Sequence, residues 1–168
     1  TTTGLAITLK PLHDRFGVKL VLMTSLQALS GGGRSPGVVG LDILDNVIPF
    51  IPREEEKVQR ETLKILGRVR DGAIVPAEIA VSCTCTRVNV KDGHTESVFL
   101  STAKACEVAD AARALAEFDG GLPELELPSA PRHMIVVRDD PYRPQPRLDR
   151  DTEGGMATVV GRIRKDVA

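Results

Sequence analysis

Arg87 and His94 stand seven positions apart in TRVNVKDGHTESV, residues 86–98, with Asp92-Gly93 between them. An arginine offers a planar fork of donors that grips a carboxylate through two parallel hydrogen bonds. A histidine moves protons near neutral pH. Seven is an odd separation, so an unbroken strand would put the two side chains on opposite faces. They meet only if the chain turns or kinks at Asp92-Gly93, a dipeptide that signals a hairpin turn. Two readings stay open at this point: a hairpin with charged residues facing water, or one wall of an active site.

The residues leading to Arg87 sharpen the question. In EIAVSCTCTRVNV, period two places Ile79, Val81, Cys83, Cys85 and Arg87 on one face. A buried strand face that ends on a guanidinium needs a partner for it, since an unpaired buried charge costs several kcal/mol. That partner is an internal acid, water at the strand end, or a ligand carboxylate. Glu54, Lys57, Glu61 and Lys64 fall at i, i+3, i+7 and i+10. They line one helix face, and on spacing alone they read as a solvated ladder of weak ion pairs. Gln27 precedes the glycine-rich SGGGRSPGVVG at a strand end. It reads equally as a ligand-orienting amide or a plain loop residue. The glycines can present backbone N–H groups to a phosphate or cofactor, but the lysine and hydroxyl residue of a P-loop are lacking. Cys83 and Cys85 form C-x-C with no second pair or histidine cluster nearby, so no metal is expected. Cys106, among acidic neighbours, and His13 and His133 read as structural.

These residues must be carried by a few elements. Leu5, Leu9, Leu12 and Phe16 form one apolar stripe, predicting a helix over 3–16 with a threonine cap, Gly17 as its stop and Pro11 as a disturbance. KLVLMTSLQALS predicts a strand. LDILDNVIPFIP is apolar but broken by Pro49 and Pro52, predicting irregular chain. A second helix is predicted over 53–66, with Val58, Thr62, Ile65 and Leu66 inward and the acids Glu54 to Glu56 at its positive end. Strands are predicted over 78–90 and 94–100. A third helix is predicted over 103–118, with Val108, Ala112 and Leu115 inward. A proline-broken connection, a short buried strand MIVVRD, a long charged loop DPYRPQPRLDRDTEGG and a last strand MATVVGRIRK complete the chain. Helices and strands do not alternate strictly, so the fold class is α+β: a mixed or antiparallel sheet covered by helices.

The 168 residues suit one domain, 1–168, and 42% apolar with 27% charged residues is ordinary for a folded chain. A net charge of −1 gives no footprint for nucleic acid or an anionic membrane. No apolar run approaches the roughly 20 residues that span a bilayer. Three cysteines without framework spacing fit a reducing compartment, the cytoplasm by default.

LQALSGGG, LDILDNVIPFI, EEEKVQRETLKILG, SCTCTRVNVKDGHTESVFL and RPQPRLDRD…VVGRIR, in this order, closely resemble aspartate-semialdehyde dehydrogenases of the branch found in archaea and fungi. The resemblance implies a fold like the C-terminal domain of glyceraldehyde-3-phosphate dehydrogenase-type enzymes. It implies reductive dephosphorylation of β-aspartyl phosphate to aspartate semialdehyde by NADP chemistry, through a cysteine thioester, in lysine, threonine and methionine biosynthesis. In that family the nucleophilic cysteine directly precedes a segment like TTTGLAITLKPL, and an NADP-binding domain lies upstream. The resemblance therefore implies a catalytic and dimerisation domain that lacks the nucleotide domain and a final strand and helix, inactive alone, and a homodimer through the sheet. By matched position, Arg87 grips the substrate carboxylate, His94 is the acid/base, and Gln27 orients the acyl intermediate. Glu54 meets the substrate ammonium, Lys57 the phosphate, and Ser30 and Gly31 the nicotinamide end of NADP. None of the three cysteines matches the nucleophile. A malonyl-CoA or other acyl-thioester reductase on the same scaffold is the alternative activity, and a non-catalytic dimerisation module the alternative for the chain alone.

Overall fold

The computed structural model describes residues 1–33 and 40–166. The end of the glycine-rich segment, residues 34–39, lies outside them, so the expectation of a cradle there concerns Ser30 to Gly33 alone. The described chain forms two compact units, one of residues 1–6 and 18–101, the other of residues 7–17 and 102–168.

The helix expected at the start is α1, Thr2–Phe16, and it runs through Pro11. Leu5, Leu9 and Leu12 are buried, as their spacing requires. Gly17, at φ 70°, closes the helix by donating its N–H to the His13 carbonyl at 2.9 Å. The expected threonine cap is not formed by Thr1 or Thr2, whose hydroxyl oxygens are buried without a partner.

In the first unit, β1 (Val18–Gln27) alternates sharply: Val21, Met23, Ser25 and Gln27 point inward while Leu22, Thr24 and Leu26 point out. After a 3-10 turn at Leu29–Gly31 come the one-turn α2 (Gly40–Ile43) and the two-residue β2 (Val47–Ile48). The segment expected to be irregular thus holds a helical turn and a short strand. α3 (Glu54–Ile65) buries Val58 and Thr62, and Leu66 just beyond it is buried too. Ile65 is 56% exposed, contrary to the expected stripe; the buried row steps by four through Val58, Thr62 and Leu66 and leaves Ile65 at its edge. An unanticipated hairpin follows, β3 (Arg68–Arg70) with β4 (Ala73–Val75). Then come β5 (Ala80–Val88) and β6 (Thr95–Thr102).

The main sheet has the order β2-β5-β1-β6, and β1 and β5 pair in parallel. The register sets Ser25 beside Cys85, Leu26 beside Thr86, and Gln27 beside Arg87. β2 runs antiparallel along the other side of β5, so the sheet is mixed as expected. The Asp92-Gly93 segment is not a hairpin turn, since β5 and β6 are not neighbours and β1 lies between them. The connection instead lies against the end of β1, where the N–H groups of Leu29 and Ser30 donate to the carbonyls of Val90 and Lys91 at 2.8 and 3.2 Å. α3 packs against β5.

The second unit holds the rest of α1, α4 (Val108–Ala116), β7 (Ile135–Arg138), the one-turn α5 (Pro146–Asp149) and β8 (Thr158–Gly161). β7 and β8 pair in parallel, and α4 packs on β7 through Ala114 and Leu115, both buried. Val108, expected inward, is 37% exposed at the helix start. The charged loop also departs from expectation. Asp149 is buried there, taking hydrogen bonds from Arg143 Nε at 2.8 Å, from Arg143 Nη2, and from the Gln145 N–H at 2.6 Å. RPQPRLD is therefore a folded knot around one carboxylate, held well below the usual carboxylate range by the Arg143 guanidinium.

Candidate active site

The residues with chemical potential gather at the ends of β1 and β5. Parallel pairing at Gln27 and Arg87 brings these two side chains to the same place from strands 60 positions apart. Arg87 is 8% exposed. Its Nη1 donates to the Ala28 carbonyl at 3.1 Å and its Nη2 to the Gly31 carbonyl at 3.3 Å. Among the described residues no acidic side chain pairs with it. The strand face therefore ends on a buried cation neutralised by backbone dipoles alone.

Gly31 is the spacer of this cluster. A Cβ there would stand 2.9 Å from Arg87 Nη1, 3.3 Å from His94 Cε1 and 3.5 Å from His94 Nε2. Arg87 and His94 thus both lie against one glycine, and only the missing side chain permits it. The chain before β6 lays the imidazole of His94, exposed on its outer side, against the end of β1, where its Nδ1 accepts a hydrogen bond from the Ala28 N–H at 3.1 Å. Burial is the main force that lowers the His94 pKa. The positive charge of Arg87 adds to it, against Glu54 and Asp92.

A second group adjoins the first. The Gln27 amide donates to Ser25 Oγ at 3.2 Å and to Glu54 Oε1 at 3.4 Å. A carboxylate only accepts, so the Gln27 atom facing Glu54 is the nitrogen, and its carbonyl oxygen points elsewhere. Lys57 Nζ lies 3.5 Å from Glu54 Oε2 and stays half exposed. α3 is fastened to β5 by Glu55, whose carboxylate takes the Cys85 N–H at 3.0 Å. Arg53, just before the helix, adopts a left-handed backbone (φ 64°), which costs an L-residue roughly 1–2 kcal/mol.

Ser30 Oγ donates to Asp92 Oδ1 at 2.7 Å. With Gly31, Asp92, Gly93 and His94 it lines an open depression of about 330 Å³. All seven expected positions thus sit in the first unit. Glu61 and Lys64 lie further along α3 and join none of these contacts. Three further residues join the site: Ser25, Glu55, which the sequence offers as a helix-start acid, and Asp92, which it offers as a turn residue. Ser25 carried a faint signal, since period two puts it on the same face as Gln27. The cysteines are not poised as nucleophiles. Burial pushes Cys83 up to about 12 and raises Cys85 and Cys106 as well. Among the described residues no three His, Cys, Asp or Glu side chains gather as a metal site, and no helix is long and apolar enough to cross a membrane.

The first unit is thus a mixed sheet whose parallel central pair ends on a buried arginine beside a histidine. Residues 9–168 match the model of the semialdehyde dehydrogenase dimerisation domain, and the chain belongs to that family. The chain is 47% identical over 168 residues to the aspartate-semialdehyde dehydrogenase of Methanothermobacter thermautotrophicus, covering 100% of this chain and 48% of that protein. It is 48% identical over 174 residues to the Candida albicans enzyme of the same name, covering 99% of this chain and 48% of that protein. The crystal structure of aspartate semialdehyde dehydrogenase with NADP from Candida albicans superposes with a TM-score of 0.89, at 46% identity over 98% of this chain and 47% of that one. Aspartate semialdehyde dehydrogenase II complexed with ASA from Vibrio cholerae gives 0.74 at 25% identity, over 99% of this chain and 50% of that one. The chain spans about half the length of the curated relatives it matches.

Proposed function

We propose that this chain is the substrate-binding and dimerisation part, 1–168, of an NADP-dependent aspartate-semialdehyde dehydrogenase. Such an enzyme interconverts β-aspartyl phosphate with aspartate semialdehyde and phosphate through a cysteine supplied from outside this sequence. The observation that carries the reading is Arg87: a buried guanidinium with no acidic partner among the described residues, set against the same glycine as His94. A substrate carboxylate answers that charge through the bidentate geometry arginine favours. Glu54, already turned toward Gln27, receives the substrate ammonium on its remaining lone pairs. Lys57, half exposed at the rim, meets the phosphate. Gln27 presents its carbonyl side and orients the acyl group, and His94 works on the reacting carbonyl through Nε2.

The depression beside Ser30 and Gly31 fits the nicotinamide end of NADP. It is walled by Ser30, Gly31, Asp92, Gly93 and His94, and a Cβ at Gly31 would push into Arg87 and His94. Bound there, NADP supplies hydride exchange with the acyl carbon. Ser30 holds this wall by its bond to Asp92, so its contact with the cofactor is through backbone.

The sheet face bearing Leu22, Thr24, Leu26, Ser82, Thr84 and Ser97 is open and mixes apolar side chains with hydroxyls. We assign it to a homodimer interface, in line with the family's description as a dimerisation domain. Two measurements test these readings. The full-length protein should reduce NADP when given aspartate semialdehyde and phosphate; turnover of malonyl-CoA with none of the semialdehyde would contradict the substrate. Light scattering should return a dimer that Leu22→Glu converts to monomer; a dimer untouched by that change would contradict the interface.

A further inference from the structure

The inward row of α3 begins on a charge. Glu55, Val58, Thr62 and Leu66 fall at i, i+3, i+7 and i+11, which is one helix face, and the last three are buried. Glu55 heads that row and turns its carboxylate to the sheet, where Oε1 accepts the Cys85 N–H at 3.0 Å. The two-residue β2 pairs only with Arg87 and Val88, so it ends before Cys85 and leaves this N–H to the helix. The contact is doubled by Cys83, whose Sγ donates to the Glu55 carbonyl at 3.4 Å. The helix start has no cap of its own to hold it. Arg53 at the N-cap makes no side-chain cap bond and takes a left-handed backbone (φ 64°). Glu54 reaches the Gln27 amide only at 3.4 Å, a long hydrogen bond.

We propose that Glu55 is a positioning residue: by holding the first turn of α3 on β5, its carboxylate sets where Glu54 and Lys57 stand relative to Arg87. This rests on the function proposed above. Cys85 lies two residues before Arg87 on the same strand. Helix and guanidinium are therefore referred to one short piece of backbone, and the distance between the groups that meet ammonium, phosphate and carboxylate is set there. A carboxylate that accepts a backbone N–H makes a charge-assisted bond, stronger than one between neutral groups. All three acids, Glu54 to Glu56, complement the helix dipole. Of the three, Glu55 is the one whose carboxylate reaches the strand. Its length, more than its charge, is what the site uses.

The test compares Glu55→Gln with Glu55→Asp in the full-length protein. Gln keeps the reach and an acceptor oxygen but loses the charge. Asp keeps the charge but falls one methylene short of the Cys85 N–H. Asp should raise the KM for aspartate semialdehyde and for phosphate about 10- to 100-fold, the cost of misplacing binding groups by about 1 Å, while Gln stays within about threefold of wild type. Gln as impaired as Asp overturns the proposal, because charge would then be the role. Wild-type KM values in Asp, with only the melting temperature lowered, overturn it too, because the contact would then be merely structural. Hydrogen–deuterium exchange gives a readout that needs no turnover. The peptide containing β5 should take up about one more deuteron in Asp than in wild type or Gln, at the released Cys85 N–H. Equal uptake in all three overturns the proposal. These outcomes are separable from a failure of the functional reading, which would show as no wild-type turnover of aspartate semialdehyde.

Discussion

Glu96 in β6 gives the sharpest prediction on the fold itself. Burial pushes its carboxyl from an ordinary 4.5 up to about 7. Among the described residues no hydrogen bond or ion pair receives it, and its Oε1 lies 3.8 Å from where a Cβ of Gly4 would be, at the start of α1. The folded state therefore holds a proton that the unfolded state releases. Between pH 4.5 and 7 the unfolded chain binds fewer protons at this site, so stability falls as pH rises and the loss is complete above about 7. At about 1.36 kcal/mol per pH unit, the ionised carboxyl costs the fold up to about 3 kcal/mol, an upper bound because Glu96 keeps some contact with water. Glu96→Gln removes this term alone. Urea unfolding of wild type and variant from pH 4.5 to 8.5 should show little difference at the acid end and a variant more stable by roughly 1–3 kcal/mol at pH 8. All other titrations cancel in the difference. Parallel curves, or a wild type that gains on the variant as pH rises, would refute the reasoning.

Three further substitutions probe the site and the scaffold. Gly31→Ala sets a methyl 2.9 Å from Arg87 Nη1. It should cost the full-length enzyme about 10- to 100-fold in kcat/KM, the equivalent of roughly 1.5–3 kcal/mol of charged hydrogen bonding, while thermal melting shifts by only a few degrees. Ser25→Ala leaves a Gln27 N–H without its acceptor; kcat/KM should fall about tenfold in wild type and less than about twofold in a Gln27→Ala background, as a double-mutant cycle would show. Asp149→Ala strands the Arg143 guanidinium and should lower unfolding free energy by roughly 3 kcal/mol. Because the Asp149 pKa is depressed, its contribution is present above the ordinary carboxylate range and lost in acid, so the wild-type advantage should vanish as pH falls through the lowered value.

The sequence showed Arg87 at the end of a buried face because strand period alone fixes that face. It also required a redirection of the chain at Asp92-Gly93. It did not show that β1 would lie between the two strands flanking that segment, since pairing partners depend on long-range contacts that no local pattern carries. The parallel register that sets Gln27 beside Arg87 was hidden for the same reason. The polar ladder on α3 split in a way that spacing could not resolve. Glu54 and Lys57 sit where the helix start meets β5, whereas Glu61 and Lys64 lie a turn or more further along α3. Asp149 stood in a stretch whose charge density reads as solvated loop; its burial follows from pairing with Arg143 six residues earlier. Glu96 is legible to the same degree as a strand residue, since alternation puts it with Val98 and Leu100 on one face of β6.

The central claim is that Arg87 awaits a substrate carboxylate, and steady-state kinetics of full-length Arg87→Ala test it most directly. The account predicts a KM for aspartate semialdehyde raised at least about tenfold, the loss of roughly 1.5–3 kcal/mol of charged hydrogen bonding, with the KM for phosphate changed far less. An unchanged KM for the semialdehyde would contradict it.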